Sequence, residues 1–301
     1  MATAIAQGQT IPEQYLTPLR ESADIIDDGR ALQQRLQDDG YIYLRGFFDR
    51  ADIMAARRDI FTRLAAVGEI LEPAVNGIFS GVSKRRERVD DLGAFWRSIS
   101  ETWTLRRLSH GQQLHGLMDQ LLDGTARVQD FIFLRPAGPG RSTHIHCDAP
   151  FFTRTTAHVA TVWIALGDVP LRMGPLFIIE GSHRYQDIID YYRGFDVALD
   201  TSRRAARSET PLEFASERGT CLLSNDFSAG DIVIFNMFLL HGALDNVSQN
   251  NEVRLSCDVR YQLASAPLDP RYFGPDPTGT TGAGYGELVG AKAMTEDWHI
   301  R

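Results

Sequence analysis

Two side chains that bind metals stand two positions apart in the stretch 142–150, which follows a Gly/Pro-rich loop and precedes an apolar segment. They are His146 and Asp148. In an extended strand, side chains two apart point to the same face, so these two would lie about 6–7 Å apart along one side. The spacing predicts two ligands for one metal ion. Cys147, between them, is expected to face the opposite way, into the core.

A third ligand has to come from another part of the chain, and the best candidate is His241, at the end of the apolar stretch 230–241. Two histidines and one carboxylate on one face, with the other coordination positions open, are the ligand set of non-haem Fe(II) oxygenases. The His-x-Asp pattern alone is weak, because it also occurs in solvated loops. A change of register would replace His146 by His144. The wider sequence favours the metal site.

Motifs on both sides of these residues follow one another in a characteristic order. They are Asp39–Phe48, Thr161–Leu166, Gly174–Arg184, the segment ending at His241, Asn246 and Arg254–Ser256. In this order they resemble the phytanoyl-CoA dioxygenase family of Fe(II)/2-oxoglutarate-dependent oxygenases, from about Asp39 to about Gln262 and most densely from Gln129 onward. The resemblance implies an enzyme that uses O2 to couple conversion of 2-oxoglutarate into succinate and CO2 with hydroxylation, or another oxidation, of an unactivated C–H bond. Ascorbate is expected as a supporting reductant.

Compared position by position, the resemblance makes His146, Asp148 and His241 the catalytic Fe(II) ligands. Three facial ligands leave three coordination positions open, two for the keto acid and one for dioxygen. Arg254 matches the arginine that binds the distal carboxylate of 2-oxoglutarate. A guanidinium suits this role because it stays charged and can bind a carboxylate through two parallel hydrogen bonds.

The resemblance also assigns less central positions around the co-substrate. Gln129 and Trp163 match residues that border the co-substrate or the substrate in relatives, although a tryptophan on an apolar strand is a core residue first. The chain departs from the family pattern at Ala243, where relatives often have a small hydroxylated residue. We expect the missing hydrogen bond to the co-substrate to come from elsewhere, with Ser256 as the candidate.

Arg254 also opens a predicted strand that would return alongside the strand carrying His241. Alternation places Arg254, Ser256, Asp258 and Arg260 on one face of it, which predicts a polar barrel interior. The alternative is that this face meets solvent and the apolar face forms the core. If Arg260 points inward, it either binds an acidic group of the substrate or pairs with Asp258.

The rest of the chain predicts a mainly β fold with added helices: a double-stranded β-helix (jelly roll, cupin-like) core with an N-terminal helical layer. Hydrophobic periodicity predicts helices at 28–39, 50–67, 91–99, 112–122 and 187–192, and strands at 41–44, 128–134, 144–148, 157–166, 176–179, 232–235 and 254–263. We expect one domain over 1–301, with a helical layer at about 11–125, a core at about 126–265, a substrate-shaping insertion at about 186–226 and a surface arm at 266–301 anchored by Trp298. The first ten residues are predicted to be disordered.

The composition of the chain indicates which partners it can bind and in which compartment it is expected. A net charge of -8 disfavours nucleic acid, because phosphate binding needs a basic face. The basic run 84–88 is interpreted as a solvated helix face or loop rather than a phosphate site. No stretch is apolar for long enough to cross a membrane. Three scattered cysteines and the lack of a signal peptide indicate a reducing, cytoplasmic location. The expected partner is a small molecule, of acyl, amino-acid-like or natural-product type; a homodimer is one expected state.

The competing hypothesis is a non-catalytic, cupin-like binding protein that uses the three ligands for a structural metal. A structural metal site has no use for a clamp on a distant carboxylate, so Arg254 argues against this alternative. The substrate itself cannot be read from the sequence, because aromatic residues near the site, such as Phe151 and Phe152, are equally typical of a core.

Overall fold

The computed structural model of the protein describes residues 4–287. Its strands are β1 (Ile5–Ala6), β2 (Gln9–Thr10), β3 (Leu16–Thr17), β4 (Tyr41–Leu44), β5 (Ala126–Val128), β6 (Phe133–Ala137), β7 (Thr143–His146), β8 (Val159–Ala165), β9 (Leu176–Ile179), β10 (Leu222–Leu223), β11 (Ile232–Asn236), β12 (His241–Ala243) and β13 (Arg254–Leu263). Its α-helices are α1 (Gly29–Asp39), α2 (Arg50–Ala66), α3 (Arg85–Arg88), α4 (Leu92–Ser100), α5 (Trp103–Ser109), α6 (Gln112–Leu121), α7 (Ala149–Phe152), α8 (Gln186–Tyr192) and α9 (Pro211–Arg218).

Two sheets form the core. The larger sheet has the strand order β4-β11-β8-β13-β5, and β6 also pairs with β13; the smaller sheet has the order β3-β10-β9-β12-β7. The pairings within them are antiparallel except for that of β10 with β3. From β6 to β9, and again from β10 to β13, strands that follow one another in sequence alternate between the two sheets. The predicted double-stranded β-helix is confirmed.

The helical layer forms where the periodic apolar pattern predicts it. The longest helix, α2, buries Ile53, Ile60 and Leu64 along one face, and the Asp49 carboxylate caps its first turn by accepting from the Ala51 N–H. Helix α1 ends at Gly40, whose φ of 81° lies in the left-handed region that glycine adopts most easily. Helix α5 was not predicted. None of the described helices has the length and apolar character that crossing a bilayer requires.

The N-terminal residues are more ordered than the sequence predicts. Strands β1 and β2 form a hairpin, and Ala6 is fully buried. The turn is held from a distance, because the Asp245 carboxylate accepts hydrogen bonds from the Gln7 and Gly8 N–H groups at 2.8 and 2.7 Å. For residues 4–10 the predicted disorder is therefore wrong, because they are held by a partner far away in sequence that local propensity cannot reveal; residues 1–3 lie outside the described residues.

The predicted strand 128–134 is two strands. Both pair with β13, with Val128 opposite Tyr261 and Phe133 opposite Asp258. Between them the backbone turns away, and the Phe131 ring stacks on Tyr285 at a centroid distance of 4.5 Å. The sequence pattern did not mark this break, since both halves pair with the same long strand.

The basic run 84–88 is exposed, as the sequence predicts, except at Arg85. Residues Arg85–Arg88 form the single-turn helix α3, and Arg85 is fully buried. The guanidinium donates to the Glu69 carboxylate at 2.5 Å and lies over the Trp96 ring at 4.9 Å. This part of the run therefore holds the helical layer together, because a buried arginine needs a paired anion.

Two late segments pack against the core. The stretch 186–226 contains α8 and α9 and returns to the smaller sheet as β10. Within it, Ala206 forms a bridge to His146, and the Arg207 N–H donates to the Ile145 carbonyl, which covers the open edge of β7. The C-terminal arm is not confined to the surface as expected, since Tyr272 is fully buried. The predicted anchor, Trp298, lies outside the described residues.

Candidate metal centre

Strand pairing in the smaller sheet brings the three predicted ligands together. His146, the last residue of β7, lies directly opposite His241, the first residue of β12, and their rings are 4.3 Å apart at the centroids. One ligand-type atom from each of these residues and from Asp148 lies within 4.8 Å of the others, and all three side chains are buried. His144 is exposed and stands outside this cluster.

Asp148 does not reach the cluster by the predicted route. Strand β7 ends at His146, and Asp148 has helical backbone angles of −79° and −14° at the start of α7. The expected alternation of His146 and Asp148 along one extended strand is therefore wrong, although the side chains converge. Cys147, between them, is fully buried, in agreement with its prediction as a core residue.

The two oxygens of Asp148 have different surroundings. Oδ1 lies 3.9 Å from His241 Nε2 and faces the cluster. Oδ2 accepts hydrogen bonds from Thr161 Oγ1 and, at 3.0 Å, from Arg260 Nη2. Burial raises the pKa of Asp148, but Arg260 and the two histidines outweigh it and hold the pKa well below its usual range. The carboxylate is therefore ionised, with one oxygen held by the protein and the other available to a metal.

Both histidines present Nε2 to the cluster. Nδ1 of His146 lies 2.9 Å from the His144 carbonyl, and Nδ1 of His241 lies 3.0 Å from the Leu239 carbonyl, so each Nδ1–H donates to the backbone. Burial, followed by the neighbouring His241, lowers the pKa of His146 to about 3, and burial also lowers the pKa of His241. Two neutral imidazoles and one carboxylate form a donor set that fits Fe(II).

The turn that carries Asp148 is held by two distant segments. The Val197 N–H of the 186–226 stretch donates to the Pro150 carbonyl in α7. From the C-terminal arm, Arg271 Nη2 and the Tyr272 hydroxyl both donate to the Phe151 carbonyl, at 3.2 and 2.9 Å. Strand β7 ends at His146, so strand pairing does not hold the backbone after Asp148. These contacts hold it instead.

A small cavity that is partly open to solvent lies between the two sheets beside the histidines. The smaller sheet contributes Thr143, His146, Leu176, His241, Gly242 and Ala243 to its wall, and the larger sheet contributes Arg135, Trp163, Phe235, Arg254, Ser256 and Asp258. None of these residues comes from 186–226, all of which the structure describes. The cavity therefore joins the metal ligands of one sheet to a polar wall on the other.

Arg254 is buried in that polar wall and forms no ion pair with the described residues. Burial, followed by repulsion from Arg135, lowers its pKa to about 10, and Nε has no hydrogen-bond partner among residues 4–287. Within the same range, the Ser256 hydroxyl is also buried without a partner. An unpaired buried cation is costly, so these groups fit a carboxylate ligand in the cavity.

The position of Arg254 differs from the sequence prediction in one respect. Strand β13 pairs with β8, β5 and β6, not with β12, which carries His241. The two strands belong to opposite sheets and face each other across the cavity. The prediction of a polar inner face on β13 holds, because Arg254, Ser256 and Asp258 all line the cavity.

Gln129 does not line the cavity, unlike the other predicted co-substrate residues Arg254, Trp163 and Ser256. It is almost fully buried, and its N–H donates to the Arg260 carbonyl at 2.8 Å. Both polar atoms of its side-chain amide lack a hydrogen-bond partner. The residue therefore lies beside Arg260, further along β13 than the cavity.

Sequence reasoning missed several residues of the site. In the cavity wall, Arg135 donates to Asp258 at 3.0 Å. The Thr161 hydroxyl donates to Oδ2 of Asp148. The alternation of β6 could have pointed to Arg135, but the role of Thr161 depends on β8 lying next to β13. Thr143 lies directly opposite Ala243. Relatives often have a hydroxyl group at the position of Ala243. In this chain Thr143, on the neighbouring strand, brings a hydroxyl group to the cavity wall instead.

Comparison with known proteins agrees with this geometry. The family model described as phytanoyl-CoA dioxygenase (PhyH) matches residues 36–254. The 1-deoxypentalenic acid 11-beta-hydroxylase of Streptomyces exfoliatus is 26% identical over 255 residues, covering 80% of this chain and 84% of the relative. A crystal structure of the epimerase SnoN with Fe3+, alpha ketoglutarate and nogalamycin RO is 22% identical with a TM-score of 0.55, covering 89% of this chain and 92% of that chain. The alpha ketoglutarate dependent carbocyclase SnoK is 19% identical with a TM-score of 0.55, covering 84% and 90%.

The jelly roll, the buried cluster of two histidines and one carboxylate, and the family match together define an iron- and 2-oxoglutarate-dependent oxygenase. The chain belongs to the phytanoyl-CoA dioxygenase (PhyH) family, whose model spans well over half of its length. The resemblance seen in the sequence is confirmed.

Proposed function

We propose that Fe(II) is bound by Nε2 of His146 and His241 and by Oδ1 of Asp148. The neutral state of both imidazoles and the free Oδ1 support this assignment. Arg254 binds the distal carboxylate of 2-oxoglutarate. The observation that carries the proposal is the buried, unpaired guanidinium of Arg254 on the wall opposite the histidines, because a metal-only site has no need of it.

When bound, iron, 2-oxoglutarate and O2 supply the oxidation of a substrate C–H bond, with succinate and CO2 as co-products and ascorbate as a supporting reductant. The protein's own groups prepare this chemistry. Thr161 and Arg260 keep Oδ2 of Asp148 occupied, so the carboxylate offers one oxygen and leaves the other coordination positions open. Ser256 and Thr143 present hydroxyl groups to the co-substrate, and Trp163 walls the cavity.

The substrate is proposed to be a small molecule of natural-product type, as in the relatives, whose names specify 1-deoxypentalenic acid and nogalamycin RO. An acyl or amino-acid-like compound remains within the same proposal, and ring closure or another oxidation would use the same site residues. A single domain, a cytoplasmic location and a homodimer complete the proposal. The charge of -8 supports the absence of nucleic acid as a partner.

The role of the 186–226 stretch is refined by its contacts. We keep the prediction that this stretch shapes the substrate site as a lid. Its second proposed role is to support the turn that carries Asp148, through the hydrogen bond between Val197 and Pro150. The alternative of a cupin-like binding protein without catalysis is not favoured, because it leaves Arg254 without a function.

The test is succinate formation by the purified protein with Fe(II), ascorbate and 2-oxoglutarate, with and without candidate substrates. We expect slow succinate formation that requires Fe(II). The matched pair of variants is Arg254→Leu, which should lose this activity at moderate 2-oxoglutarate, and Arg58→Leu, an exposed arginine on α2 that should retain it. Absence of 2-oxoglutarate binding in the Fe(II)-loaded wild type would refute the proposal.

A further inference from the structure

Arg260 has more hydrogen-bond donors than its surroundings satisfy. Its guanidinium is buried between the rings of Phe133 and Phe152, at 4.6 and 4.1 Å from the centroids. Nη2 donates to Asp148, whereas Nε and Nη1 have no partner in the part of the chain that the structure describes. An arginine placed here only to support Asp148 would leave these donors unsatisfied, at an energetic cost.

Gln129 presents the same feature next to it. Gln129 directly follows β5, and its N–H donates to the carbonyl of Arg260 on β13. Both atoms of the Gln129 amide are buried and unpartnered. Buried polar groups are normally satisfied, so a cluster of unsatisfied donors beside a metal ligand points to a missing ligand.

The charges around the metal centre point to an anion. Arg254, Arg260 and Arg135 contribute three positive charges, and Asp148 and Asp258 contribute two negative charges, which leaves an excess of one positive charge. Fe(II) and the two carboxylates of 2-oxoglutarate cancel one another. A substrate with a single negative charge would therefore balance the loaded site, where uncompensated charge is costly.

The free donors lie apart from the co-substrate clamp. Arg254 and Arg260 stand six positions apart on the same face of β13, which corresponds to roughly 20 Å along an extended strand. The cavity includes Arg254, Ser256 and Asp258 but neither Arg260 nor Gln129. The two anion-binding groups therefore serve different carboxylates.

We propose that Arg260 and Gln129 form a subsite for a carboxylate group of the substrate. This inference rests on the proposed function and specifies its substrate class as monocarboxylic acids. The Phe133 and Phe152 rings flank the guanidinium and suit an apolar body next to the carboxylate. Arg260 also donates to Asp148, so an acid bound by Arg260 is separated from a proposed metal ligand by a single side chain.

The test uses the full-length protein under anaerobic conditions, loaded with Mn(II) and 2-oxoglutarate. Binding is measured by calorimetry for benzoate, phenylacetate, cyclohexanecarboxylate and octanoate, each against its own carboxamide, with retention of 2-oxoglutarate checked by mass spectrometry. We expect at least one acid to bind about tenfold or more tightly than its amide, because the amide lacks the charge. If no acid binds better than its amide, the proposal is overturned.

A pair of variants at Gln129 tests the subsite without depending on the choice of acid. Gln129→Glu places a carboxylate beside the free donors of Arg260 and should raise Tm while removing the preference for acids. Gln129→Leu, of similar size and without polar atoms, should weaken acid binding, and it should not lower Tm because it removes two buried polar groups that lack partners among residues 4–287. An acid preference that is unchanged in both variants would contradict the subsite.

Two further readouts separate this proposal from its alternatives. The 2-oxoglutarate affinity should stay within about twofold of wild type in Gln129→Leu, because Gln129 does not line the cavity that contains Arg254. Arg260→Lys should weaken acid binding more than Mn(II) binding; the reverse order would mean that Arg260 only positions Asp148. Failure of the wild type to bind 2-oxoglutarate would refute the proposed function instead.

Discussion

Replacing Arg254 by leucine is the most direct test of the co-substrate site. The change removes the one buried cation of the cavity that has no ion-pair partner among residues 4–287, but it touches none of the three proposed iron ligands. Fe(II) affinity should therefore change little. The affinity for 2-oxoglutarate should fall steeply, whereas pyruvate, which lacks the distal carboxylate, should be almost unaffected.

The size of the effect follows from the state of Arg254 without ligand. Its pKa falls from the ordinary 12.5 to about 10, first through burial and then through Arg135. At about 1.4 kcal/mol per pKa unit, keeping this guanidinium charged costs about 3 kcal/mol, which a bound carboxylate can recover. Breaking a buried charge pair typically costs about 3–5 kcal/mol. The expected loss of 2-oxoglutarate affinity is thus roughly a hundred- to several-thousand-fold.

The assay is an anaerobic titration of Fe(II)-loaded protein with 2-oxoglutarate and with pyruvate, followed by the charge-transfer absorption that appears when a keto acid chelates Fe(II). The quantity of interest is the ratio of the two affinities, compared between wild type, Arg254→Leu and the exposed control Arg58→Leu. A ratio that stays the same in Arg254→Leu, whether both affinities are unchanged or both fall equally, would refute the reasoning, since the arginine would then not contact the distal carboxylate.

Three other predictions follow from the structure. Asp148→Ala should abolish succinate formation and also lower the free energy of unfolding by about 3–5 kcal/mol, because buried Arg260 loses its partner; wild-type stability in urea unfolding would contradict this. Thr161→Val should weaken Fe(II) binding roughly tenfold in metal titrations, since it frees one hydrogen bond on Oδ2 of Asp148, and unchanged affinity would count against this role. Burial and Arg106 lower the pKa of His110 to about 3, below that of the unfolded chain, so stability should be lost as pH falls from about 6.5 toward 3. Between about pH 7.5 and about pH 4.5, His110→Asn should lose about 2 kcal/mol less free energy of unfolding than the wild type, as measured by urea unfolding. Equal losses in the two proteins would contradict this role of His110.

The candidate ligands could be predicted from the sequence because metal chemistry restricts residue types. Few side chains bind Fe(II), and the family pattern orders them, so the sequence alone predicts His146, Asp148 and His241 as candidate ligands, and the structure brings these three side chains together. The geometry itself was not predictable in the same way. Asp148 leaves the strand at α7, and the contacts that hold α7 come from Val197 and Tyr272, which no local pattern connects to it.

The assignment of strands to sheets was a second limit. Apolar alternation identifies strands, but it does not say which strands pair, and β12 and β13 were expected side by side. Thr161 on β8 lies opposite Arg260 on β13, so its contact with Asp148 can be predicted only when the pairing of β8 with β13 is known. The unsatisfied groups of Gln129 and Arg260 are likewise visible only when all neighbours are known.

The support of α7 by distant segments has a consequence for the order of events during synthesis. Ribosomes release the chain from the N-terminus, so His146 and Asp148 emerge long before Arg260 and Tyr272, which hold Asp148 and the turn after it. A nascent chain that ends before β13 already has all three proposed ligands but lacks Arg260 and Tyr272, which orient the carboxylate and the turn after it. We therefore expect a chain truncated before β13 to bind iron less stably than the complete fold, although it contains every proposed ligand.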